Sequence, residues 1–293
     1  MAATVLWSST GVFIRYLTET YRLPPLVLAF WRDLFLAVAM SLALKLLKPG
    51  LLRLERRHWR FMLLYGLVVS VFNSLWTISV ALNGAAVSTV LAYSSAAFTA
   101  VLGWRLLSES LGPVKILAVS LSLLGCVAVS GAYDQAAWQV NTLGIVTGIL
   151  SGMAFAVYSL MGRTSAQRSI SAWTALLYAF GMAVPFLLLY NIFSAWLPQG
   201  VASMELFWLG SSWSGWLILL ILAVGPTVGG FGLYTVSLAH LPASVANIIA
   251  TLEPAMTAGL AYLFLGEFFT VPQWIGSALI VAGVIVLRLS ERR

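Results

Sequence analysis

Long apolar runs separated by short polar stretches fill most of the chain. A helix that spans a bilayer needs about 20 mostly apolar residues, and the runs are close to this length. We therefore predict ten transmembrane helices, at residues 2–17, 24–47, 59–82, 84–107, 113–130, 142–161, 172–192, 215–239, 243–265 and 271–289. The first is short and rather polar. The 193–214 connection carries three tryptophans, a residue type enriched at membrane interfaces.

The composition supports this pattern and excludes a soluble fold. Hydrophobic residues make up 61% of the 293 residues and charged residues 9%, whereas soluble domains contain roughly 25% charged residues. The single cysteine, Cys126, excludes an intramolecular disulfide, and the two histidines, His58 and His240, lie far apart in sequence. We predict an all-α integral membrane protein without a metal or another cofactor.

The basic residues are distributed unevenly between the predicted loops. If the N-terminus is cytoplasmic, the opposite face holds only Arg15 and Arg22, and Arg32 lies within the second helix. The cytoplasmic segments hold Lys45, Lys48, Arg53, Arg56, Arg57, Arg60, Arg105, Lys115, Arg163, Arg168, Arg288, Arg292 and Arg293. This bias follows the positive-inside rule, so we predict that both termini are cytoplasmic. The net charge of +7 then reflects membrane orientation, and no nucleic-acid partner is needed to explain it.

An internal repeat divides the chain into two halves, 1–131 and 142–289. At an offset of 158 residues, Leu75, Thr77 and Ser79 match Leu233, Thr235 and Ser237, and Glu109 matches Glu267. Each half holds five predicted helices, an odd number, so the second half must be inverted in the membrane. Inverted repeats are typical of secondary transporters, whose substrate site lies between the two halves.

A family resemblance rests on residues near both ends of the chain. They are Leu252-Glu253-Pro254, Leu265-Gly266-Glu267, Gly276, Ile280 and Gly283, with Leu6-Trp7-Ser8-Ser9 and Arg32 earlier. This pattern resembles the ten-helix EamA branch of the drug/metabolite transporter superfamily. The resemblance implies export or exchange of small metabolites, often amino acids, across the cell membrane by alternating access. The chain departs from the pattern at Ser95-Ala96, where such proteins often carry a proline, so the two halves need not bend alike.

Glu253 is a carboxylate inside a predicted span, which is costly unless it faces protein or a wet cavity. Three interpretations follow. Glu253 is a proton-coupling group, a partner for the amino group of a substrate, or a structural acid held by a neighbouring helix. The structural interpretation is favoured because the matching stretch of the first half, Tyr93-Ser94-Ser95-Ala96, is uncharged.

Four further charged residues are candidates for gating or structural roles. Arg32 and Asp33 are adjacent inside the second helix, where neighbouring side chains diverge. We therefore expect each to have its own partner, with Glu253 a candidate for Arg32. Glu109 and Glu267 lie at helix ends, where capping or salt bridges are expected.

Aromatic and amide side chains within the spans predict a pocket. Their polar atoms need partners in hydrocarbon, so they should face the protein interior. The candidates for substrate binding are Trp7, Asn73, Trp76, Tyr93, Tyr158, Tyr234 and Asn247, together with Glu253, and Tyr178 shares the pattern. For each one taken singly, ordinary helix packing is the favoured alternative.

Two sets of small residues predict packing and bending. Gly144, Gly148 and Gly152 recur every four residues and form one stripe on the sixth helix. Gly225-Pro226 and Gly229-Gly230 should kink or loosen the eighth helix.

The sequence as a whole favours a secondary-active transporter for a small-molecule substrate, driven by substrate or proton gradients. It contains no Walker A loop, no H-E-x-x-H and no G-x-S-x-G motif, and we do not predict an enzyme. One alternative is a membrane-embedded enzyme acting on a lipid-linked substrate, using His58 beside the basic run 53–60. Another is a non-transporting assembly partner that uses the glycine stripe. A monomer and a homodimer are both compatible with the sequence.

Overall fold

A computed structural model describes residues 1–130, 142–256 and 270–290. The helices are α1 (Ala2–Trp7), α2 (Thr10–Thr20), α3 (Pro25–Leu47), α4 (Trp59–Tyr93), α5 (Ser95–Leu107), α6 (Pro113–Ser130), α7 (Thr142–Gln167), α8 (Ala172–Ile192), α9 (Trp213–Leu222), α10 (Gly232–His240), α11 (Ala243–Ala250) and α12 (Val271–Ser290). A π-helix, Ala223–Phe231, joins α9 to α10. Short 3₁₀ helices lie at Pro49–Leu52, Arg56–His58 and Ser194–Trp196.

Within the described residues, six helical stretches are long and apolar enough to cross a membrane. They are Pro25–Leu47, Arg56–Gly84, Val87–Leu107, Thr142–Gln167, Ala172–Ile192 and Trp213–His240. Pro113–Val129 and Val271–Leu287 are shorter apolar helices. The chain is therefore a helical, multi-pass integral membrane protein. The first predicted helix is divided by a turn at Ser8-Ser9, and the ninth extends outside the described residues.

Breaks in the helices have local causes. Gly84 has φ +74° and ψ 166°, a conformation that favours glycine, and it separates the third predicted helix from the fourth within α4. Further breaks follow α4 at Ser94 and α11 at residues 251–252. At these breaks the hydroxyls of Ser94 and Thr251 donate to the carbonyl oxygens of Leu91 and Ile248, each at 2.6 Å. Such side-chain bonds compete with the helical ladder.

The predicted loosening of the eighth helix is confirmed as the π-helix between α9 and α10. Pro226 has no backbone N–H to donate, so the regular ladder is interrupted there. Thr227 compensates by donating its hydroxyl to the Leu222 carbonyl at 2.8 Å. The widened turn packs against α1 and α3. Turns of this kind occur often at functional sites.

The glycine stripe of α7 packs against α4 and the start of α5 within the same chain. A Cβ at Gly148 would lie 2.6 Å from Leu91 Cδ1, and one at Gly152 would lie 2.4 Å from Ser94 Oγ and 2.9 Å from the Ala92 carbonyl oxygen. The stripe therefore brings these helices close together. This intramolecular packing explains the small residues without an assembly partner.

We expect Gly152→Ala to lower the free energy of unfolding by about 1–3 kcal/mol, because the added methyl group overpacks a backbone contact. Gly181→Ala in α8 is the matched control, since its Cβ would meet Ala37 Cβ at 3.9 Å, an ordinary contact. Thermal unfolding in detergent compares the two variants. Equal stability of the two would contradict the close packing.

Helices α6 and α12 contact each other through reciprocal pairs of residues. A Cβ at Gly125 would lie 2.6 Å from the Gly276 carbonyl oxygen, and one at Gly283 would lie 2.9 Å from the Ala118 carbonyl oxygen. At the offset of 158 residues, Gly125 corresponds to Gly283 and Ala118 to Gly276. Each contact is therefore the counterpart of the other, as a two-fold relation between the helices requires.

Candidate functional site

A partly open cavity of about 50 Å³ lies among α1, α2, α4, α7, the π-helix and the helical residues after the break at 251–252. Its lining is mostly aromatic: Trp7, Thr10, Phe72, Trp76, Thr89, Ala92, Tyr93, Phe155, Phe231 and Glu253. We call it the central cavity. Four of the predicted pocket residues line it, namely Trp7, Trp76, Tyr93 and Glu253.

Tyr93 and Glu253 meet at the edge of the central cavity. The Tyr93 hydroxyl donates to Glu253 Oε2 at 2.5 Å, and both side chains are buried. Tyr93 is the last residue of α4 and Glu253 follows the break after α11. The two helix breaks therefore bring this pair together. A phenol that donates to a carboxylate stabilises the charge of that carboxylate.

Trp7 also lines the central cavity. Its ring packs against Phe231 at a centroid distance of 4.9 Å and against Phe155 at 6.0 Å. Two polar atoms of lining residues, Trp7 Nε1 and Thr10 Oγ1, are buried and have no hydrogen-bond partner in the described part of the protein. Buried polar atoms are normally paired. These two atoms are therefore one donor and one hydroxyl that a bound molecule could satisfy.

Tyr158, Tyr234 and Asn247, which were also predicted to bind substrate, form a polar network beside the cavity. The Tyr158 hydroxyl lies 3.0 Å from Thr235 Oγ1, and the Tyr234 hydroxyl lies 2.8 Å from Ser159 Oγ. Asn247 Nδ2 donates to Ser159 Oγ at 3.4 Å, and the Asn247 carbonyl accepts from Ser95 at 3.0 Å. Three of these bonds connect α7 to α10 and α11, and the bond from Ser95 connects α5 to α11.

A second cavity of about 210 Å³ lies beside the N-terminus. It is lined by Met1, Ala2, Ala3, Thr4, Leu233, Tyr234, Ser237, Leu241, Ala246, Ile249 and Ala250. Tyr234 lines this cavity, and its ring packs at 5.1 Å against Trp7, which lines the central cavity. The Trp7–Tyr234 pair is thus a contact between the two linings.

The structure corrects the expected partners of Arg32 and Asp33. They contact each other, with Arg32 Nε donating to Asp33 Oδ1 at 3.4 Å, and both are almost completely buried. Asn73 Nδ2 donates to Asp33 Oδ2 at 2.7 Å. Asn73, predicted to bind substrate, therefore supports this ion pair. Glu253, the candidate partner for Arg32, accepts a hydrogen bond from Tyr93.

Glu109 is placed at the N-terminus of α11. Its Oε1 accepts from the Ala243 backbone N–H at 2.6 Å, and its Oε2 accepts from the backbone N–H and the hydroxyl of Ser244. Lys115 Nζ lies 3.8 Å from Glu109 Oε2. A carboxylate at this position satisfies free N–H groups and favours the helix dipole. Its repeat counterpart, Glu267, lies outside the described residues.

Two other predicted residues lie away from the central cavity. Tyr178 donates its hydroxyl to the Leu52 carbonyl at 2.8 Å, next to the loop that follows α3. His58 is buried beside Arg57, whose Nε lies 3.2 Å from His58 Nε2, and His58 lines neither of the two cavities.

Sequence reasoning missed several residues that line the central cavity, chiefly Phe72, Phe155 and Phe231. Phenylalanine carries no polar atom, so nothing in its chemistry distinguished these rings from other packed residues. A signal was present in the spacing of Phe72 and Trp76, which are four residues apart and share one face of α4.

The chain is similar to known transporters over nearly its whole length. The EamA-like transporter family matches residues 1–131 and 142–289. The uncharacterized transporter YwfM of Bacillus subtilis is 26% identical over 300 residues, covering 100% of this chain and 93% of that protein. The threonine/homoserine exporter RhtA of Salmonella typhimurium is 26% identical over 259 residues, covering 88% of this chain and 81% of that protein.

A solved crystal structure has the same fold. It superposes with a TM-score of 0.74 at 19% sequence identity and covers 100% of this chain and 96% of that chain.

Proposed function

Because the chain belongs to the EamA-like transporter family, we propose that it is a secondary-active transporter that moves small metabolites through the central cavity by alternating access. The single observation that carries this proposal is the cavity itself. It is lined by helices from both halves of the chain, and its mostly aromatic lining includes Glu253, Thr10 and Trp7. Substrate sites of secondary transporters lie between two such halves.

The proposed architecture is ten transmembrane helices in two inverted repeats, 1–131 and 142–289. Three features support the repeat: the offset of 158 residues, the breaks after α4 and α11, and the reciprocal contacts of α6 and α12. The proposed orientation has both termini in the cytoplasm of a cell membrane, supported by the Lys and Arg bias.

The Trp7–Tyr234 contact between the linings of the two cavities supports alternating access. One water needs roughly 10–15 Å³ of cavity volume. The central cavity, at about 50 Å³, therefore has room for a few waters or a small chemical group. A metabolite requires the helices to move apart. We propose that the Trp7–Tyr234 pair separates to connect the central cavity with the larger one beside the N-terminus, and that the π-helix next to Trp7 is the flexible element.

Amino acids are the first solutes to examine, since one relative is named a threonine/homoserine exporter. The test is counterflow in liposomes: purified protein is reconstituted with unlabelled solute inside, and uptake of labelled solute is followed. We expect uptake well above that of protein-free liposomes for at least one amino acid or amine. No counterflow of any solute in a broad metabolite panel would overturn the proposal.

The alternative of a lipid-linked enzyme is not favoured by a specific contact. It required His58 and an acid to converge in a cavity, and His58 instead packs beside Arg57.

Gly230 allows Trp7 to take its position, which leads to a prediction for transport. A Cβ at Gly230 would lie 2.4 Å from Trp7 Nε1. We expect Gly230→Ala to displace the indole and lower the counterflow rate about tenfold, which equals roughly 1.4 kcal/mol and is at the lower end of overpacking costs.

Gly225→Ala is the matched control in the same π-helix, because its Cβ would meet no atom within 4 Å. Its counterflow rate should stay close to that of the wild type. Equal rates for the two variants would show that the position of Trp7 does not limit transport.

A further inference from the structure

We propose that the central cavity selects organic cations, in particular amines with an apolar or aromatic body, over solutes that carry a carboxylate. This inference rests on the proposed transport function and concerns the charge class of its substrate. It starts from the charge of the lining. Among the ten described residues of the lining, Glu253 carries the one carboxylate, and none is Lys, Arg or His.

The buried basic side chains in the described residues, Arg32, His58 and Lys115, have contacts away from the central cavity; His58 lies beside Arg57. Arg32 contacts Asp33 at 3.4 Å. Lys115 donates to Ser244 at 2.9 Å and lies beside Glu109. The segment 257–269, which follows Glu253 closely in sequence, contains no Lys, Arg or His. Among the described lining residues, none therefore provides a cationic partner for a substrate carboxylate.

The aromatic lining favours a cation for a second reason. Rings of Trp7, Phe72, Trp76, Phe155 and Phe231 line a space whose acid is bound by the Tyr93 hydroxyl. The negative faces of aromatic rings attract an ammonium group, most strongly when water is excluded. Glu253 and the rings thus attract the same kind of charge.

A solute carboxylate in this cavity would be repelled rather than attracted. It would lie close to the Glu253 carboxylate in a site of low dielectric, where like charges repel strongly. The free donor Trp7 Nε1 suits a hydroxyl, ether or carbonyl oxygen, and one neutral N–H does not offset a full negative charge. The free Thr10 hydroxyl can accept from an ammonium group.

Three probes separate charge from shape: phenethylamine, phenylalanine and 2-phenylethanol. They share a phenylethyl body and differ in carrying an ammonium group, both charges, or no charge. We expect the wild-type protein in detergent to bind phenethylamine at least about tenfold more tightly than phenylalanine in calorimetric titrations. Equal or tighter binding of phenylalanine, or no binding of phenethylamine, would overturn the proposal.

Glu253→Gln provides a second measurement. It should weaken phenethylamine binding at least about tenfold and weaken 2-phenylethanol binding much less, and retained binding of the alcohol also shows that the variant is folded. Unchanged phenethylamine binding would overturn the role of Glu253. If the variant does not fold, the comparison of the three probes on the wild type decides.

Counterflow distinguishes this inference from the transport proposal. If liposomes exchange phenylalanine and not phenethylamine, the cation inference fails and the transporter stands. If no solute in the panel is exchanged, the transport proposal itself fails.

Discussion

Asp33→Asn is expected to lower the free energy of unfolding by about 3–5 kcal/mol, a large effect for one conservative change. The substitution removes the anionic partner of Arg32, whose side chain is 1% exposed. Arg32 Nη2 already has no hydrogen-bond partner in the described part of the chain. The guanidinium would therefore remain buried with an uncompensated charge. Chemical unfolding in detergent micelles measures the loss.

Two control variants test whether the loss of stability comes from the buried charge of Arg32. Glu19→Gln removes the partner of Arg15 in an ion pair whose side chains are 58% and 62% exposed, so stability should barely change. Adding Arg32→Met to Asp33→Asn removes the stranded charge and should recover most of the lost stability. A single Asp33→Asn variant as stable as the wild type would show that Arg32 does not depend on this carboxylate.

The second large effect concerns competition between protons and the solute at Glu253. If a cationic solute binds the ionised carboxylate, a proton on that carboxylate excludes it. Affinity must then fall as the pH falls. Below the pH at which Glu253 is half protonated, the Kd of phenethylamine should rise about tenfold for each pH unit. Calorimetric titrations over a range of pH values give this slope.

Glu253→Gln should give a weak and pH-independent Kd for the same amine, because glutamine does not take up a proton in this range. In the wild type, binding of the uncharged 2-phenylethanol should be far less sensitive to pH. A steep pH dependence that persists in Glu253→Gln would assign the proton to another group. The expected competition would make protons the coupling ion, with proton entry on one side of the membrane driving release of the solute.

Sequence patterns predicted much of the helical frame, because the length and apolarity of a spanning segment are local properties. The segment predicted at 172–192 coincides with α8, Ala172–Ile192. The Gly and Pro residues of the eighth segment correctly predicted a loosened helix. Its form as a π-helix depends on the contacts that Thr227 and the neighbouring helices make.

The candidate site was harder to predict, because it depends on which faces of distant helices meet. Tyr93 and Glu253 are 160 residues apart and form a hydrogen bond. Asn73 was predicted to bind substrate, which stays a prediction, and its Nδ2 donates to Asp33, since a buried amide can satisfy its hydrogen bonds with protein or with a ligand. Adjacent side chains on a helix diverge at their Cβ atoms, so Arg32 and Asp33 were not expected to contact each other. The Arg32 side chain is long and flexible, and its guanidinium can still reach the neighbouring carboxylate.

The central claim is that the solute passes through the cavity between Trp7 and Glu253, and chemical modification of that cavity tests it most directly. The buried native Cys126 is first replaced by alanine. A single cysteine is then placed at Thr89, which lines the cavity, or at Gly50 in the connection between α3 and α4, where a Cβ meets no atom within 4 Å.

Counterflow is then measured before and after treatment with a membrane-permeant thiol reagent. We expect modification of Thr89→Cys to stop counterflow, and we expect excess solute to slow this modification. Modification of Gly50→Cys should leave the counterflow rate unchanged. Complete modification of Thr89→Cys with an unchanged counterflow rate would contradict the account.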